Sequence, residues 1–314
     1  MNAAAVVTAA AVSFQALPKT AIPESGPLDP AILARLTLTD AERAGKRIVA
    51  VGDRGFIVYS DDDGRTWSRA NAPAAPLLTA LRFADEKQGL AVGHDAVILA
   101  TSDGGESWTQ VFSAAKDERP LLDVIFLDKS NAIAVGAYGA YYESADGGKT
   151  WAARKVEAGD KHLNGIVRVD ASTLLIVGEA GTMLLSTDTG KTWSSVPSPY
   201  KGSLFGAVVA ADGAVVAYGL RGRIYRSTDK ARTWKQVDNA STPSIMGGAR
   251  LPDGTLVLAG AAGVALVSRD NGQSFVPLAT GTIRGFANAV AGGRDEVHLI
   301  GEAGVRTLAL PAAR

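Results

Sequence analysis

Residues 135–151 read Val135-Gly136-Ala137-Tyr138-Gly139-Ala140-Tyr141-Tyr142-Glu143-Ser144-Ala145-Asp146-Gly147-Gly148-Lys149-Thr150-Trp151. Two phrases are joined here. Val-Gly-x-x-Gly is a tight connection between apolar runs. Ser-x-Asp-x-Gly-x-Thr-Trp is a turn closed by an aromatic residue. The second phrase occurs six times, with its aspartate at Asp62, Asp103, Asp146, Asp188, Asp229 and Asp270, a spacing of 41 to 43 residues. The first occurs seven times, at Gly52, Gly93, Gly136, Gly178, Gly219, Gly260 and Gly301. A fixed period of this length signals stacked or radially arranged units.

The third unit shows what one repeat must be. Leu121 to Leu127 is a short apolar run, and Asp128-Lys129-Ser130-Asn131 is a turn. Ala132 to Val135 and Ala140 to Ser144 are two more runs, and a fourth starts at Trp151. Four short runs rich in Val, Ile, Thr and Tyr, broken by Gly, Asp and Asn, read as an antiparallel meander. One such sheet cannot bury both its faces. Seven of them packed face to face around an axis can, so the spacing predicts an all-β fold: a seven-bladed β-propeller of four-stranded antiparallel blades.

The Asp phrase has a structural explanation. Aspartate accepts hydrogen bonds from nearby amides in a turn, Ser and Thr satisfy further backbone groups, and the aromatic residue fills the gap between sheets. One carboxylate per turn is too few for calcium, which takes six to eight oxygen ligands. His94, His162 and His298 fall in different units without metal-ligand spacing. No metal and no cofactor is expected.

The seventh unit stops after Val305 to Leu310, one strand short. Each complete unit ends in a strand that opens on an aromatic residue. Phe14-Gln15-Ala16-Leu17-Pro18 fits that template, so residues 13–18 are expected to close the ring and remove an unpaired edge. Residues 1–12 are Ala- and Val-rich and resemble the apolar core of a signal peptide, although no Lys or Arg precedes Lys19. Residues 19–32 read as a Pro-rich linker, and residues 13–314 as a single domain. The chain carries 32 basic and 32 acidic side chains, so it has no electrostatic footprint for nucleic acid. It contains no cysteine, which is compatible with export.

The paired phrases, running through the chain without insertions, resemble the photosystem II stability/assembly factor family of seven-bladed Asp-box propellers, including its relatives in non-photosynthetic bacteria. The resemblance covers roughly residues 33 to 310. Segments such as Leu121-Leu122-Asp123-Val124 and Tyr218-Gly219-Leu220-Arg221-Gly222 strengthen it. Ala231 in the fifth box and Phe275 in the sixth depart from the pattern. The family implies an exported, non-enzymatic propeller that binds an integral membrane protein; the unit count and the closing strand template lead to the expectation of a monomeric ring. The client would be a photosystem-type complex in a photosynthetic source, with the protein in the thylakoid lumen. Elsewhere it would be a membrane complex such as a resistance-nodulation-division transporter, with the protein in the periplasm.

Geometry locates the candidate binding face. In a meander the turn between strands two and three lies on the opposite face from the Asp boxes. The variable residues of Val-Gly-x-x-Gly supply Arg54, His94, Tyr138, Glu179, Arg221 and Glu302 there. The segments entering the innermost strands add Arg119, Asn164, Phe205, Met246, Arg284 and Phe286. Arg with exposed aromatic and sulfur side chains matches interface composition. The competing reading is an Asp-box glycoside hydrolase or sialidase-like propeller. The N-terminal Arg-Ile-Pro motif of sialidases and long cleft-building insertions are absent, and no pair of carboxylates can be placed across a pocket from the sequence.

Overall fold

In Ile48-Val49-Ala50-Val51 the side chains alternate between two neighbours. Val49 and Val51 pack towards the second repeat, whereas Ile48 and Ala50 pack towards the seventh. This period of two, with both faces apolar, is what a sheet buried between two other sheets requires. The computed structural model describes residues 25–117, 119–239 and 241–311. The expected signal-like segment and the closing strand Phe14–Pro18 lie outside the described residues.

The described residues form seven antiparallel sheets, ordered innermost to outermost as the chain runs, save for one added edge strand in the first. The innermost strands are Leu38–Ala44, Leu78–Phe83, Leu121–Phe126, Leu163–Arg168, Leu204–Val209, Ile245–Arg250 and Phe286–Ala291. Repeats two to six are four-stranded, and the seventh has three strands among the described residues. Seven apolar clusters occupy the seven seams between successive blades. The fold is therefore a seven-bladed β-propeller.

From Gly26 on, the expected linker is built into the ring. Gly26–Pro27 pairs with Ser68–Arg69 as a fifth strand on the outer edge of the first blade. Asp29 then caps a short helix, Pro30–Leu33, by accepting from the Ala31 amide at 2.7 Å. Leu28 and Leu36 are buried in the seam between blades seven and one, with Ile32 and Leu33 packed against it.

The two phrases have separate physical causes. The first glycine of Val-Gly-x-x-Gly is extended, and a Cβ there would meet the carbonyl oxygen at the entry of the innermost strand at 2.1–2.3 Å in all seven blades. The same carbonyl accepts from the next amide: Thr37 from Asp53, Pro120 from Ala137 and Gly285 from Glu302, at 2.9–3.0 Å. Two residues after that glycine, Arg54, Asp95, Tyr138, Ala180, Arg221 and Ala262 turn the chain at φ of 51–59°. The Asp phrase is a closed hydrogen-bond circuit. The Ser144 hydroxyl donates to Asp146 Oδ1 and accepts from the Gly148 amide, both at 2.9 Å. The Thr150 amide donates to Oδ1 and its hydroxyl to Oδ2. The same four bonds recur at Asp62, Asp103, Asp188, Asp229 and Asp270. In Asp146, Asp188 and Asp229 the threonine hydroxyl, backed by its amide, holds the carboxyl at about 2.

Candidate functional site

The turns between second and third strands and the entries to the innermost strands are joined by the amide-to-carbonyl bonds just described, so they form one rim around the axis. Arg54, His94, Tyr138, Arg221, Met246, Arg284 and Glu302 are exposed on it. Tyr138 is 54% and Met246 43% exposed, and Ile283, next to Arg284, is 87% exposed. The Tyr138 ring stands edge-on to His162 at 4.8 Å between centroids. Arg119 and Glu179 are half-buried, and a Glu179 carboxylate oxygen accepts the His162 amide at 3.2 Å. The opposite rim is taken up by the Asp boxes.

Phe286 corrects the expectation of an exposed aromatic anchor. It is 6% exposed and belongs to the core between blades six and seven. It is the first residue of its innermost strand, aligned with Leu38, Leu78, Leu121, Leu163, Leu204 and Ile245, all buried. Asn164, Phe205 and Met246 occupy the next position, where every blade has a β-bulge. The bulge turns these side chains to the mouth of an axial channel. Thr39, Thr79 and Asn164 use the place to stitch blades together: their side chains donate to the carbonyls of Leu78, Leu121 and Leu204 in the next blade, at 2.6–2.9 Å.

Below the bulges lies a charged cluster that sequence reading missed. Asp40 accepts from its neighbour Ala41 and, across the seam, from the Leu81 amide and from Arg82 at 2.7 Å. Asp123 does the same with Val124 and Ile166, and its Oδ1 lies 3.2 Å from the Arg82 guanidinium. Asn288 completes the arc by donating to Asp40. Arg82, from blade two, thus bridges carboxylates of blades one and three, and their charges raise its pKa against the cost of burial. Glu42 has one donor among the described residues, the Phe83 amide at 2.9 Å. Burial pushes its carboxyl up to about 7, with Arg82 opposing and Asp40 adding to the rise. The sequence signal was present in part: Arg82 and Asp123 stand in largely apolar innermost runs, and Asp40 and Glu42 alternate along the first.

Residues 114–278, just over half of the 314, match the family described as "Photosynthesis system II assembly factor YCF48". Residues 58–69 match the BNR/Asp-box repeat. No curated protein matches the chain. Among solved structures, the chain is similar to a YCF48 bound to a D1 peptide, with a TM-score of 0.71 and 21% identity over 95% of this chain and 100% of that one. It is similar to YCF48 from Cyanidioschyzon merolae, with a TM-score of 0.68 and 18% identity over 88% of this chain and 96% of that one. A GH74 enzyme from Niastella koreensis also shares the fold, with a TM-score of 0.70 and 16% identity over 91% of this chain but only 53% of its own. With its fold, its Asp boxes and the family match over residues 114–278, the chain belongs to the YCF48 family of photosynthesis system II assembly factors.

Proposed function

We propose that this protein is an exported, non-enzymatic accessory factor that docks an integral membrane protein through the rim opposite the Asp boxes. One observation carries the reading. That rim presents Arg54, Arg221 and Arg284 together with Tyr138, Met246 and Ile283, all exposed, while the other rim is committed to closing its own turns. Guanidinium groups beside apolar anchors suit a client loop that offers carboxylates or carbonyls. The family membership supports a partner of the assembly type. The YCF48 structure with a D1 peptide shows that a related ring takes a polypeptide ligand. The apolar run at residues 2–12 supports export. The likeness to the GH74 enzyme concerns the fold alone. Asp40 and Asp123 are engaged by backbone amides and Arg82, an arrangement suited to holding blades together rather than to acid–base work.

Cross-linking in native membranes, followed by mass spectrometry, tests the docking face. Wild-type protein should cross-link to an integral membrane protein through the turn rim, and Arg221→Glu/Arg284→Glu should lose most of that signal while keeping its melting temperature. Cross-links that map to the Asp-box rim, or that survive the double reversal unchanged, would refute the assignment.

A further inference from the structure

The residue after each bulge shows how the ring departs from sevenfold symmetry. Around the axis these residues are Asp40, Ala80, Asp123, Gly165, Gly206, Gly247 and Asn288. One arc of the channel is polar and charged, and the opposite arc is three consecutive glycines. The partners of these residues on the second strands are Val51, Val92, Val135, Val177, Tyr218, Ala259 and Ile300. Tyr218 alone carries a polar group. Its hydroxyl takes the place a side chain at Gly206 would occupy, 2.6 Å from a Cβ built there. Tyr218 is 5% exposed and lines the axial cavity.

Tyr218 and the charged arc line the same axial cavity of about 360 Å³. Pockets of this size with a few convergent polar groups are the ordinary form of a small-molecule site. The charge pattern says what kind of molecule. Three carboxylates line the cavity, Asp40, Glu42 and Asp123, with the guanidinium groups of Arg82 and Arg168. Arg82 is shared between Asp40 and Asp123. Arg168 donates to the carbonyls of Phe126 and Leu127. On the deeper side Arg43 is held by Asp63 and three carbonyls, and Arg250 by the Ala210 carbonyl. No cation is paired with Glu42 among the described residues. Glu42 is half-buried at the cavity wall, and the cation that acts on it, Arg82, is already shared between Asp40 and Asp123, so a bound cation would offset what remains of the cost of ionising it.

We propose that the axial cavity binds a small primary amine, its ammonium group paired with the Glu42 carboxylate and its polar tail reaching the Tyr218 hydroxyl along the glycine wall. The proposal is independent of the docking rim, since neither residue lies on the rim surface.

Isothermal titration of the full chain with 1,4-diaminobutane tests it, with 1,4-butanediol and succinate as the neutral and anionic counterparts. The diamine should bind, and the diol and the dianion should not. Glu42→Gln should weaken the diamine by about tenfold or more, the scale of a lost charged partner, and so should Tyr218→Phe, since the second ammonium group makes the bond to its hydroxyl a charge-assisted one. Affinity should rise about tenfold from pH 6 to pH 8 as Glu42 ionises, and Glu42→Gln should abolish that rise. If Glu42→Gln does not fold, the pH profile and Tyr218→Phe still decide the matter. No binding of the diamine at millimolar concentration, equal binding of succinate, or an affinity indifferent to both Tyr218→Phe and pH would overturn the proposal.

Discussion

At the scale of single residues, the Asp boxes are self-contained circuits, and their departures are local. Trp67, Trp108 and Trp151 donate their indole N–H to the box glycine carbonyl at 2.9–3.0 Å. Trp193 finds the Tyr141 hydroxyl instead. Trp234, whose box has Ala231 in place of glycine, keeps a buried indole N–H without a partner among the described residues. Asp103 receives four bonds, from the Glu106 and Ser107 amides and the Thr101 and Ser107 hydroxyls. Asp103→Ala should therefore cost about 1–3 kcal/mol, read as a lower urea midpoint, with the docking cross-links unchanged. Because the box carboxyls at about 2 lie below their unfolded values, their contribution is present above about pH 4 and lost as pH falls towards 2.

At the scale of the element, the Val-Gly-x-x-Gly turn separates two demands on small residues. Gly178 is needed for space: a Cβ would lie 2.2 Å from the His162 carbonyl oxygen. Ala180 sits at φ 51°, where a side chain is strained although it has room. Gly178→Ala should destabilise by about 2–3 kcal/mol, since backbone must move. Ala180→Gly should be neutral or stabilising by up to about 1 kcal/mol. Thermal melts of the two variants side by side check the assignment, and equal losses would contradict it.

At the scale of the whole molecule, the ring is held by seven seams, and the one between last and first blades is chemically distinct. In four of the other seams a box glycine packs on an apolar side chain of the preceding blade: Gly105 on Val49, Gly148 on Leu90, Gly190 on Ile133 and Gly272 on Val216. Gly64 packs on the His298 imidazole, and a Cβ there would fall 2.7 Å from the ring. His298 is buried, its Nδ1 lies 2.8 Å from the Thr307 hydroxyl, and its Nε2 has no partner among the described residues. Burial, with the nearby Arg43 charge, lowers its pKa. The unfolded chain then takes up this proton first, so stability is full above about pH 6.5 and falls as pH drops below it. Glu42, raised to about 7, works in the opposite sense: its contribution is full below its unfolded value and is lost as pH rises through 7. Comparing His298→Leu with wild type isolates the histidine. The variant should gain relative stability between pH 6.5 and pH 5 and show no such gain above pH 7.5. A difference that does not change with pH would exclude proton linkage at this seam.

The repeat count, the blade topology and both turn phrases were legible in the sequence, because each depends on residues within one repeat of some forty positions. Gly136 and Asp146 meet their partners within the same sheet, so their spacing alone specifies their geometry. The rim was legible for the same reason: a meander alternates its turns between two faces. Phe286 was misjudged because strand entry and surface differ by one residue, and only the bulge decides which side chain turns to the mouth. The axial cluster was out of reach. Asp40, Arg82, Asp123 and Asn288 come from four repeats, and nothing local says that they meet. The conversion of Gly26–Leu36 from expected linker to part of the closing seam was out of reach too, since its partners Trp67, Ile300 and Val305 lie in the first and last blades. Local hydrogen bonding wrote the blades into the sequence, and closure of the ring alone decided what stands at the axis and at the seam.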